Sequence, residues 1–254
     1  LAFALIGPMP LIAPAFSALG LPAPIAIDDY SAIGTTFKSA LPVIDMGESP
    51  IAVSGKPDSA LAPFITGSIA AAVTACLNGD AAGLVTNPIA KEVLYDAGFA
   101  HPGHTEYLGE LTKNANDDGP RGPVMMLSGG GLRVALATVH MPLKQAAERL
   151  NADAIINTAQ VMHHALIRDF GIKNPRIALT GLNPHAGEGG ALGREEIEII
   201  NPAAATLRAL GHDVTDAGNV TPRPYAPRLH KNTAVHHLAE TVAWTEALSD
   251  ATPS

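Results

Sequence analysis

Cysteine is almost missing from this chain. A lone Cys76 among 254 residues rules out an internal disulfide framework and any cysteine-built zinc site. A free cysteine usually behaves as a small apolar residue, so Cys76 is expected to be buried in packing. Aromatic residues supply only 4 % of the chain. The core must therefore be aliphatic, and the 47 % hydrophobic content is ample for one. Positive charge is also scarce. The formal net charge of −8 argues against a nucleic-acid surface, which wants a basic stripe, although local loops can still receive small anions. No uninterrupted apolar run reaches the roughly 18 residues of a membrane span. The apolar N-terminus, LAFALIGPMPLIAPAFSALGLPAPIAI, lacks the basic opening of a signal peptide and is broken by prolines. It starts within an apolar run and without methionine, so further residues are expected upstream. These absences point to a cytosolic, enzyme-like chain without nucleic-acid or membrane partners.

What is present is organised around Arg176–Glu196, RIALTGLNPHAGEGGALGREE. A short apolar run of strand character gives way to a loop carrying His185 and the glycines 187, 189, 190 and 193. Arg194-Glu195-Glu196 then opens a helix pattern. In α/β folds ligands collect at the carboxyl ends of strands, where such loops sit. Glycines let backbone N–H groups approach a ligand, and a helix start favours anions. Four glycines alone fit a flexible surface loop with a chance histidine equally well. A second apolar run, Arg133–Val139, also ends at a histidine, His140. If both strands lie in one parallel sheet, the two imidazoles share a sheet edge and form part of a divalent-metal site, still needing a third ligand or water.

Elsewhere the pattern predicts strands at Ala2–Ile6, Pro24–Ile27, Leu41–Met46, Ala82–Thr86 and Pro123–Leu127. Short helical character is read over Pro14–Leu19. A long small-residue helix covers Ser59–Leu77, with Pro63 in its first turn and Asn78-Gly79 as its stop. Ile155, Ala159, Met162 and Leu166 mark an amphipathic helix over Asn151–Phe170; His163 and His164 lie within it and are not read as ligands. Ser128–Gly131, SGGG, matches no phosphate-binding fingerprint and is read as a hairpin turn. A helix over Ile197–Leu210 is bent at Pro202 and stopped by Gly211. Lys91 follows Pro88 at a strand-to-helix corner; it is a weak catalytic candidate, since lysines usually face water. His104 and Thr105 stand after Gly103 at the next helix start, where they suit a phosphate or carboxylate; Thr105 serves equally as an ordinary N-cap. From about Asp216 the chain turns rich in proline and basic residues. Residues 217–254 show no strand pattern, and only Val235–Leu248 suggests a short helix.

Three stretches resemble the 4-hydroxythreonine-4-phosphate dehydrogenase family of vitamin B6 biosynthesis. They are Leu84–Leu108 (LVTNPIAKEVLYDAGFAHPGHTEYL), Arg133–Leu143 (RVALATVHMPL) and Gly181–Pro202 (GLNPHAGEGGALGREEIEIINP). The likeness extends over roughly Phe3–Val214. It implies a three-layer α/β/α fold like the isocitrate and isopropylmalate dehydrogenases, with two domains around a cleft, in a homodimer. On that likeness residues 1–216 are the family-like α/β region and 217–254 a divergent tail. It also implies NAD- or NADP-dependent oxidation of 4-phosphooxy-L-threonine, assisted by Zn, Mg or Co, and decarboxylation to 3-amino-2-oxopropyl phosphate. By the same resemblance His104 and Thr105 match the substrate-binding pair and are expected to face the cleft of His185. His140 and His185 match two of three metal ligands; no cofactor-binding residue is identified. The family's opening Gly-Asp-Pro-Ala-Gly type motif, the segment with the third metal histidine, and the downstream lysine, asparagine and arginine for substrate phosphate are not found. His230, His236 and His237 are poor substitutes, because metal geometry is demanding. The expected alternative is therefore an impaired fragment or pseudoenzyme that keeps partial metal or anion binding.

Overall fold

In a computed structural model of the chain, the described residues are 1–53, 55–117, 119–183 and 185–216, together with the backbone of Val242–Glu246. They fall into two units, Leu1–Ala115 and Asn116–Ser254.

The first unit is built on a parallel sheet of β1 (Leu5–Gly7), β2 (Ile25–Ala26) and β3 (Pro42–Asp45), in the order β1-β3-β2. Parallel neighbours need crossover connections. One is α1 (Met9–Ala18), and the second contains α2 (Ile33–Thr36). β1 is shorter than the apolar run suggests, beginning at Leu5 rather than Ala2, because only Leu5–Gly7 find partners on β3. α1 starts earlier than read, with Pro10 in its first turn, where a missing N–H goes unnoticed.

α3 (Ala62–Asn78) has Pro63 in its first turn and ends on Gly79 in the left-handed conformation (φ 82°), as its sequence signals require. With the 3-10 turn before it, Ser59–Asn78 makes a 20-residue helical run whose most apolar 18 residues have a mean hydropathy of 1.8, long and apolar enough to cross a membrane by length and composition. Its neighbours here are β1 and α5 (His104–Thr112), and the Tyr107 hydroxyl of α5 donates to the Thr66 carbonyl at 3.2 Å. Burial pushes the Tyr107 phenol above its ordinary range. Cys76, near the end of α3, is half-buried rather than buried. α4 (Lys91–Asp96) precedes α5. Val43 and Leu94 are fully enclosed, with Ile69 and Val73 of α3 nearly so.

The run Ala82–Thr86 is not a strand. A strand needs a neighbour for its backbone groups and a surface for alternate side chains. The run has neither here, and Val85 is 100 % exposed.

In the second unit, β4 (Met126–Gly129) and β5 (Leu132–Leu136) form a hairpin. Gly130 and Gly131 turn it with φ of 58° and 83°, the positive pair that a two-residue type I′ turn demands. The SGGG segment is thus a turn, as read. Next come α6 (Leu143–Arg149), α7 (Ala152–Arg168), β6 (Arg176–Leu179), α8 (Asn201–Ala209), β7 (Asp213–Asp216) and β8 (Val242–Glu246). The sheet order is β4-β5-β8-β6-β7. Only β6 and β7 pair in parallel; β8 lies antiparallel to both β5 and β6. The parallel sheet considered for the two histidine-bearing strands is instead a mixed one, because β5 is supplied by a hairpin and β8 comes back from the tail. The tail expectation is corrected too: Val242–Glu246 is a strand, not part of a helix over Val235–Leu248. Val, Trp and Thr favour an extended backbone, and the gap between β5 and β6 supplies partners on both sides. The proline-rich stretch before it lies outside the described residues, as do His230, His236 and His237.

α7 buries Ile155, Ala159, Met162 and Leu166, the positions its period predicts, together with Thr158. The Asn151 side chain caps it by accepting the Ala154 N–H at 2.9 Å. The four apolar residues join Ala135, Ile177, Leu179, Ile200, Leu207 and Val214 in one aliphatic core. Both units are α/β structures, as the sequence implies.

Candidate active site

Two corners carry the residues singled out in the sequence, one in each unit.

In the first unit, Tyr95 of α4 donates its hydroxyl to the Pro102 carbonyl at 3.0 Å, which ties the loop before α5 to α4. Phe99, His101 and Tyr107 meet edge-to-face or tilted, with ring centroids 5.2 Å apart. Gly103 is the N-cap, in an extended conformation, and α5 begins at His104. Thr105 therefore lies within the first turn and is not the cap. A Cβ on Gly103 would stand 3.3 Å from both the Lys91 Nζ and the Glu106 Oε2. Glycine lets the first residue of α4 and the first turn of α5 approach this closely. The His104 Nε2 and the Glu106 Oε2 are both buried without a hydrogen-bond partner. Buried polar atoms are nearly always paired, so two orphans at one helix start call for an explanation, and a polar ligand is one. Lys91 is exposed but stands beside them rather than apart. Glu106 was missed as a candidate in the sequence, although it closes the GHTE run.

In the second unit, β6 ends at Leu179 and the chain enters the glycine-rich loop. The Asn183 Oδ1 accepts the His185 N–H at 2.8 Å. Short local bonds follow, from Ala186 N–H to the Asn183 carbonyl and from Glu188 N–H to the His185 carbonyl, each 3.0 Å. The loop is tight enough that Ala186 and Glu188 take positive φ (47° and 43°), an uncommon state for side-chain-bearing residues. His185 is largely exposed, and its Nδ1 lies 2.8 Å from the Glu188 Oε1. A carboxylate on Nδ1 favours the proton there and leaves Nε2 as the nitrogen with a lone pair to offer, the arrangement that commonly supports a ligating histidine. Glu188 was also missed; its spacing three residues after His185 is the signal that could have found it.

His140 does not follow directly on its strand, as expected. β5 ends at Leu136, and four residues later His140 sits exposed with φ 54°. The strand is shorter because its last ladder pair, Leu136 with Val242 of β8, is made there. Since β5 and β6 are each antiparallel to β8, they run the same way, and His140 and His185 both come after carboxyl ends at one edge of the sheet. The donor set suits a divalent ion in chemistry. It is incomplete in number: among the described residues there is no group of three or more His, Cys, Asp or Glu placed to hold a metal.

The helix histidines have other roles. The His163 ring lies edge-on to His212 at 4.4 Å. The His164 Nε2 is 3.7 Å from the Asp117 carboxylate, which also pairs with Arg168 at 2.8 Å.

The family model for pyridoxal phosphate biosynthetic protein PdxA matches residues 5–221. A 4-hydroxythreonine-4-phosphate dehydrogenase of Maricaulis maris is 54 % identical over 180 residues, 70 % of this chain and 53 % of its own length. One from Caulobacter vibrioides is 54 % identical over 175 residues, 69 % of this chain and 53 % of its own. The chain thus spans about half the length of these relatives. A crystal structure of 4-hydroxythreonine-4-phosphate dehydrogenase from Klebsiella pneumoniae superposes with a TM-score of 0.74 at 32 % identity, covering 84 % of this chain and 65 % of that one.

Proposed function

Because the chain belongs to the PdxA family of pyridoxal phosphate biosynthetic proteins, we propose that it serves the NAD- or NADP-dependent, metal-assisted oxidation of 4-phosphooxy-L-threonine. The observation that supports this best is the backing of His185 by Glu188 at the sheet edge that also bears His140. In this reading His140 and His185 hold a divalent ion (Zn, Mg or Co), and Glu188 keeps the His185 Nε2 turned to it. Such an ion supplies Lewis acidity, which makes a bound hydroxyl easier to deprotonate and stabilises negative charge on its oxygen. His104 and Thr105 receive the anionic end of the substrate; the orphaned His104 Nε2 and the first-turn N–H groups of α5 are the donors. Lys91 adds a positive charge beside them. A bound nicotinamide would supply the hydride acceptor for this oxidation, with the hydroxyl proton released to solvent, and the β-keto acid so formed would lose carbon dioxide. No residue here is assigned to the nicotinamide. A cytoplasmic homodimer is part of the same proposal.

A second reading has one observation in its favour, the absence of a three-ligand group among the described residues. On that reading the 254-residue chain keeps partial metal and anion binding and turns over poorly. Reduction of NAD or NADP by 4-phosphooxy-L-threonine with added Zn²⁺, Mg²⁺ or Co²⁺, beside a full-length family member, separates the two. A missing ligand should slow this chain by about a hundredfold or more. Comparable turnover by both would eliminate the impaired-fragment reading. Zinc binding unchanged by His185→Gln and His140→Gln would eliminate the metal assignment itself.

A further inference from the structure

Glu196 is only 3 % exposed, a carboxylate at the start of the helical segment after the glycine-rich loop. Its Oε1 accepts the Leu182 N–H at 2.9 Å. Its Oε2 is buried and has no hydrogen-bond partner. Burying a carboxylate is costly unless both oxygens are satisfied, so stability does not account for this residue.

Its surroundings suggest what does. A Cβ on Gly181 would stand 3.0 Å from the Glu196 Oε1. One on Gly187, whose φ is +74°, would stand 2.7 Å from the Oε2 and 2.8 Å from the Gly193 carbonyl. The two sides of the loop thus close on the carboxylate with no room for a side chain. Glu196 also opens a π-type turn, Glu196–Ile200, before α8. Such wide turns recur at functional sites. The turn is anchored in the core by Ile200, and α8 by Leu207, both fully buried. A rigid base therefore presents one carboxylate oxygen to Leu182 and the other to Gly187. Between them lies Asn183, which holds the His185 N–H.

We infer that Glu196 is a positioning residue for His185, fixing the loop from beneath so that the imidazole is held for metal binding. Its consequence for metal rests on the reading above; its effect on the ring does not.

The test uses the full chain. The His185 Cε1–H resonance, assigned by its loss in His185→Gln, is compared in the parent, Glu196→Ala and Glu196→Gln, with His163 as an internal control and circular dichroism as the folding check. Glu196→Ala should move the His185 resonance and leave His163 in place. Glu196→Gln, which keeps an acceptor for Leu182, should restore the parent position. Zinc affinity, measured calorimetrically with Zn²⁺ alone, should fall about tenfold in the alanine variant. A His185 resonance unmoved in folded Glu196→Ala, or moved equally by glutamine, overturns the inference. If the alanine variant does not fold, Glu196→Asp decides: it keeps the charge but draws the carboxylate back by one methylene, so a moved His185 supports the role and an unmoved one overturns it. If the parent binds no zinc and the ring still moves, the metal reading fails and the positioning role stands.

Discussion

His163 is half-buried in α7 against His212, and its neutral form is favoured. Burial holds its pKa below the ordinary 6.5, and the charges of His212 and then His164 push the same way. The unfolded chain therefore takes up its proton first as pH falls. The stabilisation is complete above the unfolded pKa and is lost as pH drops through the depressed folded value. Urea unfolding of the second unit should show a lower midpoint at about pH 5.5 than at about pH 7.5, and His163→Gln should flatten that difference. A slope unchanged in the variant would place the pH dependence elsewhere. Asp117 and Asp169 do not confuse the window. Hydrogen bonds, chiefly from the Gly119 N–H to Asp117 and from Arg168 to Asp169, hold both carboxylates below 3.8, so their contributions fade only in more acidic solution. At this scale the sequence was uneven. His104, Thr105, His140 and His185 stand out by type and setting. Glu196 does not, because Glu195-Glu196 at a helix start reads as two ordinary acids favoured by the helix dipole. Which of the two is buried is decided by how the loop closes.

Elements with a strong period were legible, and those that depend on a partner were not. α7 is the clear success: its apolar spacing and Asn151 cap are local features, and the buried face follows from them. Leu166 lies at the centre of that face, fully enclosed. Leu166→Ala should destabilise the second unit by about 2–5 kcal/mol, with an unchanged urea slope if only a cavity is made. A loss under about 1 kcal/mol in a denaturation series would show that the core closes over the gap or that this face is less well packed. The strands tell the opposite story. Ala82–Thr86 has an ordinary strand sequence and no neighbour, while β7, Asp213–Asp216, was not recognised at all and is fixed by its parallel register with β6. Arg208 reinforces that placement from α8 by donating its Nε to the Val214 carbonyl at 2.8 Å and pairing with the buried Asp216. The helix read over Ile197–Leu210 is present: the backbone stays helical from Glu196 through Ala209, and the irregularity associated with Pro202 takes the form of the π-type turn Glu196–Ile200 just before it.

For the molecule as a whole, the tail changes the account most. Its proline and basic composition hid one short strand, and that strand occupies the middle of the second unit's sheet. β5 meets β4 on one side and β8 on the other; β6 meets β7 and β8. Without β8, the β4-β5 hairpin and the β6-β7 pair would each have an open edge, and His140 and His185 would lose the common strand that orients their edge of the sheet. Open edges are also templates for pairing with other chains. Proline is poorly tolerated within a central strand, because it removes a ladder donor. The double variant Ala243→Pro, Thr245→Pro should therefore lower the stability of the second unit by more than about 1 kcal/mol, beyond the roughly 0.5 kcal/mol scatter of surface substitutions. Size-exclusion chromatography should show more self-association, and zinc binding should weaken if both histidines contribute. Should the double variant unfold at the parent's urea concentration and remain equally dispersed, β8 would not be what joins the two halves. The packing of α7 on β5 would then have to hold the hairpin alone.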